Sequence, residues 1–263
     1  MKSFQKLLFP SLVVAVLAPV APVAAAKQKA YQYLLRSTGW VRVENKRGLG
    51  NGTCWLWHLE RRLAVTNAHV VWKRRGPGAV RVFFPQYRGN QVIRALSAYQ
   101  VDEHGIPARV VLVDRRRDLA LLQLEEVPDG VRALPLARCG PCKGDAVFGL
   151  GNSSVRDGLL WQFRRGKVLQ GAYLDTFVNN WPLTTKTYSE EPQGGGLRLA
   201  AVIQTRYNFR PGDCGGPLIN RCGRLVGVNQ GFPKPGNGTA VHVDELRRFL
   251  KRVPRSPLEN GDR

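Results

Sequence analysis

The chain has 263 residues, 43% of them hydrophobic, enough to bury one sizeable core or two smaller ones that share an interface. Charge is the outlier: 40 Lys and Arg stand against 19 Asp and Glu, a formal net charge of +21 at pH 7. A field of that sign attracts anionic surfaces or polymers. The basic residues lie in short scattered runs such as Arg115-Arg116-Arg117, without an interleaved aromatic stripe, so there is no specific nucleic-acid signal.

Residues 1–26 read as a secretory signal peptide. Lys2 and Lys6 make the positive start, Leu7 to Val23 is almost wholly apolar, and Ala24-Ala25-Ala26 offers a small-residue cleavage site. Pro10, Pro19 and Pro22 interrupt the apolar run, which argues against an uncleaved anchor. The expectation is a secreted or periplasmic protein with no transmembrane span after cleavage.

From Thr38 onward the texture is short strands punctuated by Gly and Pro. Strands are predicted at 40–43, 53–57, 63–66, 80–84, 110–113 and 119–124, a set that suits a small antiparallel barrel. A linker with Pro128, Gly130 and Pro135 follows, then a second set at 146–150, 166–169, 199–204, 218–220, 225–228 and 240–243. Asp244 is the expected N-cap of a short helix over 245–251, with Leu246, Phe249 and Leu250 on one face. The stretch 184–196 reads as a long loop, either a plain connection or one that gates substrate, and the polar tail 253–263 as disordered. The prediction is an all-β fold: two antiparallel six-stranded β-barrels packed together, residues 27–130 and 131–252, with a short C-terminal helix.

The run Arg210-Pro211-Gly212-Asp213-Cys214-Gly215-Gly216-Pro217-Leu218 sets a reactive side chain in a tight turn flanked by glycines. Such a turn can aim the N–H groups of Gly212 and Cys214 at one spot, where a developing oxyanion would be held. Upstream, Leu63-Ala64-Val65-Thr66-Asn67-Ala68-His69-Val70-Val71 is an apolar strand running into a turn that ends on histidine. Between them, Asp118 precedes the apolar strand Leu119-Ala120-Leu121-Leu122, and Asp114 is the alternative without such a strand directly after it. A thiol becomes a good nucleophile when an imidazole takes its proton. His69 would do that and later return the proton to the leaving amine, while Asp118 would fix the tautomer of the ring.

These motifs resemble, in order and spacing, those of the trypsin-like (chymotrypsin-fold) peptidases, across residues 36–252. The nucleophile loop is similar to Gly-Asp-Ser-Gly-Gly-Pro, and the histidine run to the Thr-Asn-Ala-His-Val-Val of HtrA-type bacterial members. The departure is Cys214 in the serine position, as in viral chymotrypsin-like cysteine proteases. The resemblance implies a chymotrypsin-like double barrel and a stand-alone peptidase domain without a PDZ module. It implies peptide-bond hydrolysis on His69, Asp118 and Cys214, with a protein or peptide substrate and no cofactor. It further implies that Tyr207, Asn208 and Phe209, together with Asn229, Gln230, Gly231 and Phe232, line the substrate pocket, with an uncharged P1 residue preferred. No Ile-Val-Gly-Gly-type start is present to pair with Asp213, so that carboxylate needs an arginine or solvent.

Five cysteines are present: Cys54, Cys139, Cys142, Cys214 and Cys222. The odd count suits one free thiol at Cys214 and leaves four for disulfides or metal. By resemblance to viral relatives, Cys139, Cys142 and Cys222 are zinc candidates, with Cys54 or a histidine as the fourth ligand. Cys139-Gly140-Pro141-Cys142 also has the spacing of a thiol redox motif. Three readings therefore stand: a cysteine peptidase; a weak or inactive module of that fold that binds peptides or anionic surfaces; and a redox protein.

Overall fold

The structure is a computed structural model that describes residues 23–45, 48–72, 78–100, 104–175, 200–231 and 236–254. Helix α1 (Val23–Leu35) leads into β1 (Thr38–Asn45), β2 (Gly48–His58) and β3 (Leu63–Thr66), then the one-turn helix α2 (Ala68–Val71). β4 (Val80–Phe83) follows, then the small hairpin β5 (Tyr87–Arg88) and β6 (Gln91–Val92), then β7 (Ile106–Asp114) and β8 (Leu119–Leu124). The second half contains β9 (Ala146–Gly151), β10 (Gln162–Asp175), β11 (Ala200–Arg206), β12 (Pro217–Ile219), β13 (Leu225–Gly231), β14 (Asn237–His242) and α3 (Val243–Leu250). The strands close into two six-stranded antiparallel barrels, ordered β1-β2-β3-β8-β7-β4 and β10-β11-β14-β13-β12-β9. Closure leaves neither sheet with an open edge.

Side-chain alternation explains why several strands read as unbroken apolar runs. In β8, Ala120 and Leu122 point into the core of the first barrel, whereas Leu119 and Leu121 belong to a cluster that draws on both barrels. β3 does the same with Ala64 against Leu63 and Val65. In the second barrel, Val147 and Val226 fill the interior while Phe148, Leu150, Leu225 and Val228 join the shared cluster. Strands buried on both faces lose the polar alternation of a half-exposed sheet. Leu34 and Leu35 of α1 and Leu246 and Phe249 of α3 complete the shared cluster.

The sequence reading assigns no element to residues 27–37, and one expectation needs correction. α1 runs from Val23 to Leu35 and takes in Ala24-Ala25-Ala26, read above as a cleavage site. It is built of Ala, Lys and Gln, all good helix formers, and is docked by Tyr31, whose ring meets Phe163 edge-on at 5.7 Å. The N-cap of α3 is His242, not Asp244: its Nδ1 accepts the Asp244 N–H at 3.2 Å, while the Asp244 carboxylate pairs with Arg247. Burial holds the His242 pKa down, in keeping with a neutral ring that accepts. The stretch 184–196, the tail from 255 and residues 1–22 of the signal-like segment lie outside the described residues. Among the described residues no helix is long and apolar enough to cross a membrane.

An ionic network joins the β7–β8 turn to α3. Buried Asp114 holds Arg117 Nη1 and Arg252 Nη1, each at 2.8 Å, and Arg117 Nε reaches Glu245 Oε2 at 2.7 Å. Glu245 is itself buried and also pairs with Arg248 at 2.5 Å. Removing one member of such a set strands its partners. Glu245→Ala is expected to lose about 2–3 kcal/mol of unfolding free energy in urea melts. The exposed control Asp129→Ala should stay within about 0.5 kcal/mol.

Candidate active site

β3 and β8 lie side by side, with Thr66 opposite Ala120, so the segments flanking this pair bring His69 and Asp118 together. His69 stands in α2, entered through Asn67, which keeps an extended backbone. Asp118 ends the β7–β8 turn and adopts φ +51°, a left-handed conformation that costs a non-glycine residue about 1–2 kcal/mol. Three hydrogen bonds hold it there. Asn67 Nδ2 donates to the Asp118 carbonyl at 2.7 Å, the His69 N–H donates to Oδ1 at 2.9 Å, and His69 Nδ1 lies 2.7 Å from Oδ2. An ionised carboxylate only accepts, so Nδ1 carries the proton and Nε2 is left for a second partner. The Arg115 guanidinium, stacked 4.0 Å above the Trp72 ring, pins the same turn against the end of α2.

Cys214 stands on that side of the ring, near enough to act on it electrostatically. Burial alone would push the His69 pKa down, but the Asp118 carboxylate and the Cys214 sulfur outweigh it and hold the pKa well above its ordinary value. The ring keeps an open side, with 31% of its side chain exposed. The Cys214 sulfur also lies 3.3 Å from the Gln230 carbonyl, to which the thiol donates.

The turn that presents Cys214 is fixed mainly by the first barrel. Thr53 of β2, fully buried, donates its N–H to the Cys214 carbonyl and its hydroxyl to the Gly212 carbonyl, both at 2.8 Å. From below, Gly215 N–H donates to the Asn229 carbonyl and Asn229 N–H to the Gly216 carbonyl, both at 2.8 Å. Gly215, at φ +83°, admits no side chain: a Cβ would stand 2.1 Å from the Thr53 carbonyl. Gly212 sits at φ +101°. Among the described residues, the N–H groups of Gly212 and Cys214 have no acceptor. Sequence reasoning missed Thr53, since nothing in Gly52-Thr53-Cys54 marks a contact to a loop more than a hundred residues away.

Asp213 is completely buried, and Arg164 of β10 supplies the counter-charge, its Nε 3.6 Å from Oδ2. The Arg210 N–H donates to the same oxygen at 3.0 Å, and Arg164 Nη2 holds Ser153 Oγ at 2.8 Å. Burial pushes the Asp213 pKa up to about 6, with Arg164 opposing the rise. Of the two partners expected for Asp213, an arginine or solvent, the structure supplies an arginine, a residue with no sequence signal of its own.

The residues expected to line the substrate pocket separate. Tyr207 and Phe209 are buried in the core of the second barrel, on which Cys214 packs, whereas Asn208 is exposed. Asn229, Gln230 and Gly231 are buried in β13, with Asn229 Nδ2 3.4 Å from the Tyr207 hydroxyl. Phe232 lies outside the described residues.

All five cysteines are free thiols, so the expected disulfides are not formed. Cys54 is sealed inside the first barrel, where burial raises its pKa to about 12, while Cys139, Cys142 and Cys222 are exposed. Among the described residues no three His, Cys, Asp or Glu side chains are grouped to hold a metal ion, so Cys139, Cys142 and Cys222 do not assemble a zinc site.

Residues 52–228 match the family model described as trypsin-like peptidase domain. Protease Do-like 1 of the Arabidopsis thaliana chloroplast is 24% identical over 78% of this chain and 40% of its own length. Mitochondrial serine protease HTRA2 of Drosophila willistoni is 30% identical over 58% of this chain and 31% of its own. The chain thus spans less than half the length of these relatives. Among solved structures, the active form of the Rv3671c protease from M. tuberculosis superposes with a TM-score of 0.65 at 21% identity, covering 95% of this chain and 96% of that one. The serine endoprotease of Yersinia pestis gives 0.59 at 16% identity, covering 89% and 66%. These two likenesses carry the fold, and the match to the family model, which takes in His69, Asp118 and Cys214, places the chain in the trypsin-like peptidase domain family.

Proposed function

We propose that this family member is a secreted or periplasmic endopeptidase that cleaves protein or peptide substrates through a covalent thioester on Cys214. The observation that carries the reading is the Asp118–His69 pair, hydrogen-bonded at 2.7 Å with Cys214 acting on the same ring, together with two unengaged N–H groups in the nucleophile turn. The Cys214 proton passes to His69 Nε2 and the sulfur attacks the scissile carbonyl carbon. The resulting oxyanion takes the Gly212 and Cys214 N–H groups. As the C–N bond breaks, His69 delivers the proton to the leaving amine. Water, deprotonated by His69, then opens the thioester, releases the acid and restores the thiol. Asp118 keeps the ring in the tautomer that leaves Nε2 facing sulfur. The extracytoplasmic location rests on the signal-like pattern of residues 1–26.

One observation favours a second reading, a module that binds but cleaves poorly. The Cys214 thiol donates to the Gln230 carbonyl at 3.3 Å, which engages the proton that His69 would take.

Peptide hydrolysis is expected to vanish in Cys214→Ala and to fall by roughly three to four orders of magnitude in Asp118→Asn, while Cys139→Ser leaves it unchanged. Iodoacetamide labelling of Cys214 below neutral pH should slow at least about tenfold in His69→Ala. Labelling indifferent to His69, with no hydrolysis, would select the binding module.

Asp213 sets a pH limit. Its native pKa lies above that of an unfolded aspartate, so ionising it costs stability as pH rises through about 6, and protonating it below that pH uncouples Arg164 and the Arg210 N–H from the turn. Arg164→Met removes the group that opposes the rise. The acid limb of kcat/KM should therefore move to higher pH while the alkaline limb stays. An unmoved acid limb in pH-rate profiles of both chains would contradict the coupling.

A further inference from the structure

On the outer face of the second barrel, a groove of about 450 Å³ opens between the turn at residues 143–145 and the β10–β11 ribbon. Four exposed cations share it: Lys143, Arg165, Lys167 and Arg206. Arg165 and Lys167 are two residues apart on one strand and so stand on one face. Lys167 lies directly opposite Arg206 in the register of β10 and β11. Like charges in that position repel, and the arrangement is unfavourable unless an anion lies between them.

Local geometry holds the cluster together. The Gly144 N–H donates to the Val168 carbonyl at 2.8 Å and the Val168 N–H to the Asp145 carbonyl at 2.9 Å, which fastens the lysine turn to β10. A register shift between Val168 and Gln170 inserts Leu169 as an extra residue and re-aims the strand beside the groove. The nearest carboxylate in sequence, Asp145, is turned away and accepts the Cys142 N–H at 2.8 Å. Among the described residues none of the four cations pairs with an acid. Among the described residues no aromatic ring lines the groove, so the stacking platform that a nucleic-acid strand would use is not offered by them.

We propose that this groove is a binding site for a polyvalent phosphate-bearing anion. A single carboxylate would balance one of the four charges, whereas linked or clustered phosphate groups balance several within a few ångströms. The two guanidinium groups offer the forked donors that phosphate oxygens take in pairs. The size is that of a small-molecule pocket, not of an extended macromolecular interface. Two sources share this chemistry: a soluble condensed phosphate, and phosphate headgroups at an anionic membrane surface. The site is independent of Cys214.

The test is calorimetric titration of the full chain with sodium tripolyphosphate, alongside flotation with vesicles of phosphatidylcholine alone or mixed with phosphatidylglycerol. The variants are Lys167→Glu with Arg206→Glu, and the milder Lys143→Gln with Arg165→Gln, each checked for an unchanged thermal melt. Arg156→Glu with Arg221→Glu, exposed and outside the groove, matches the first pair in charge. Either groove pair should weaken binding by roughly tenfold or more, and the control pair by less than about twofold. Binding of tripolyphosphate alone would identify a soluble ligand, and binding only of phosphatidylglycerol vesicles a headgroup; each supports the site. Equal losses in groove and control variants would reduce the effect to net charge and overturn the proposal, as would no binding in either arm.

Discussion

Thr53 is the residue on which the rest of the site depends. The proposed base and its carboxylate belong to the first barrel and the proposed nucleophile to the second, so the chemistry requires the two to be held in register. Thr53 does this from inside β2, with its N–H on the Cys214 carbonyl and its hydroxyl on that of Gly212. The same hydroxyl accepts the Asn152 N–H at 3.1 Å, and Thr66 Oγ1 donates to the Thr53 carbonyl at 2.7 Å. Thr53, Thr66 and Asn152 are fully buried, so water does not compete for their polar groups, and each bond left unmade would cost the desolvation of its partner. The glycine at 215 follows from this constraint, because the turn is pressed directly against Thr53 and Thr66.

Charge is buried where chemistry needs position. Asp213 lies behind the nucleophile turn with Arg164 as counter-ion, and Asp114 and Glu245 bracket Arg117 where the turn bearing Asp118 meets α3. Both arrangements are costly to desolvate, and the raised pKa of Asp213 records that cost. What they supply is geometry: one sets the backbone around Cys214, the other ties the Asp118 turn to the C-terminal helix. The opposing pulls on the Cys214 proton, from the His69 ring and from the Gln230 carbonyl, make the balance at sulfur the decisive property of the site.

Much of this was legible in the sequence because it is local. The runs 63–66 and 119–124 are strands at those limits, and every predicted strand lies in or overlaps a strand of the double barrel. The histidine, aspartate and cysteine motifs sit in short segments whose order survives folding. What the sequence did not disclose is pairwise and distant. Arg164 is one arginine of forty basic residues, singled out only by facing Asp213 across the barrel. Thr53 looks like any strand threonine. Arg165, next to Arg164, faces the opposite way into the groove, where it meets Lys143 and Arg206 only after β10 has paired with β11. The cysteine spacing suggested metal or disulfides, but Cys54 ends inside a barrel, away from its supposed partners at the surface. His242 displaced Asp244 as helix cap because the helix starts at Val243, which leaves Asp244 inside the first turn and paired with Arg247.

The central claim is that Cys214 carries the acyl group. The most direct measurement is acid quenching of the protein during turnover of an unfolded protein substrate, followed by peptide mass spectrometry of the trapped adduct. A hydroxylamine-labile acyl group on the peptide containing Cys214 is the predicted result. Turnover with Cys214 unmodified throughout, or an acyl group carried by another residue, would contradict it.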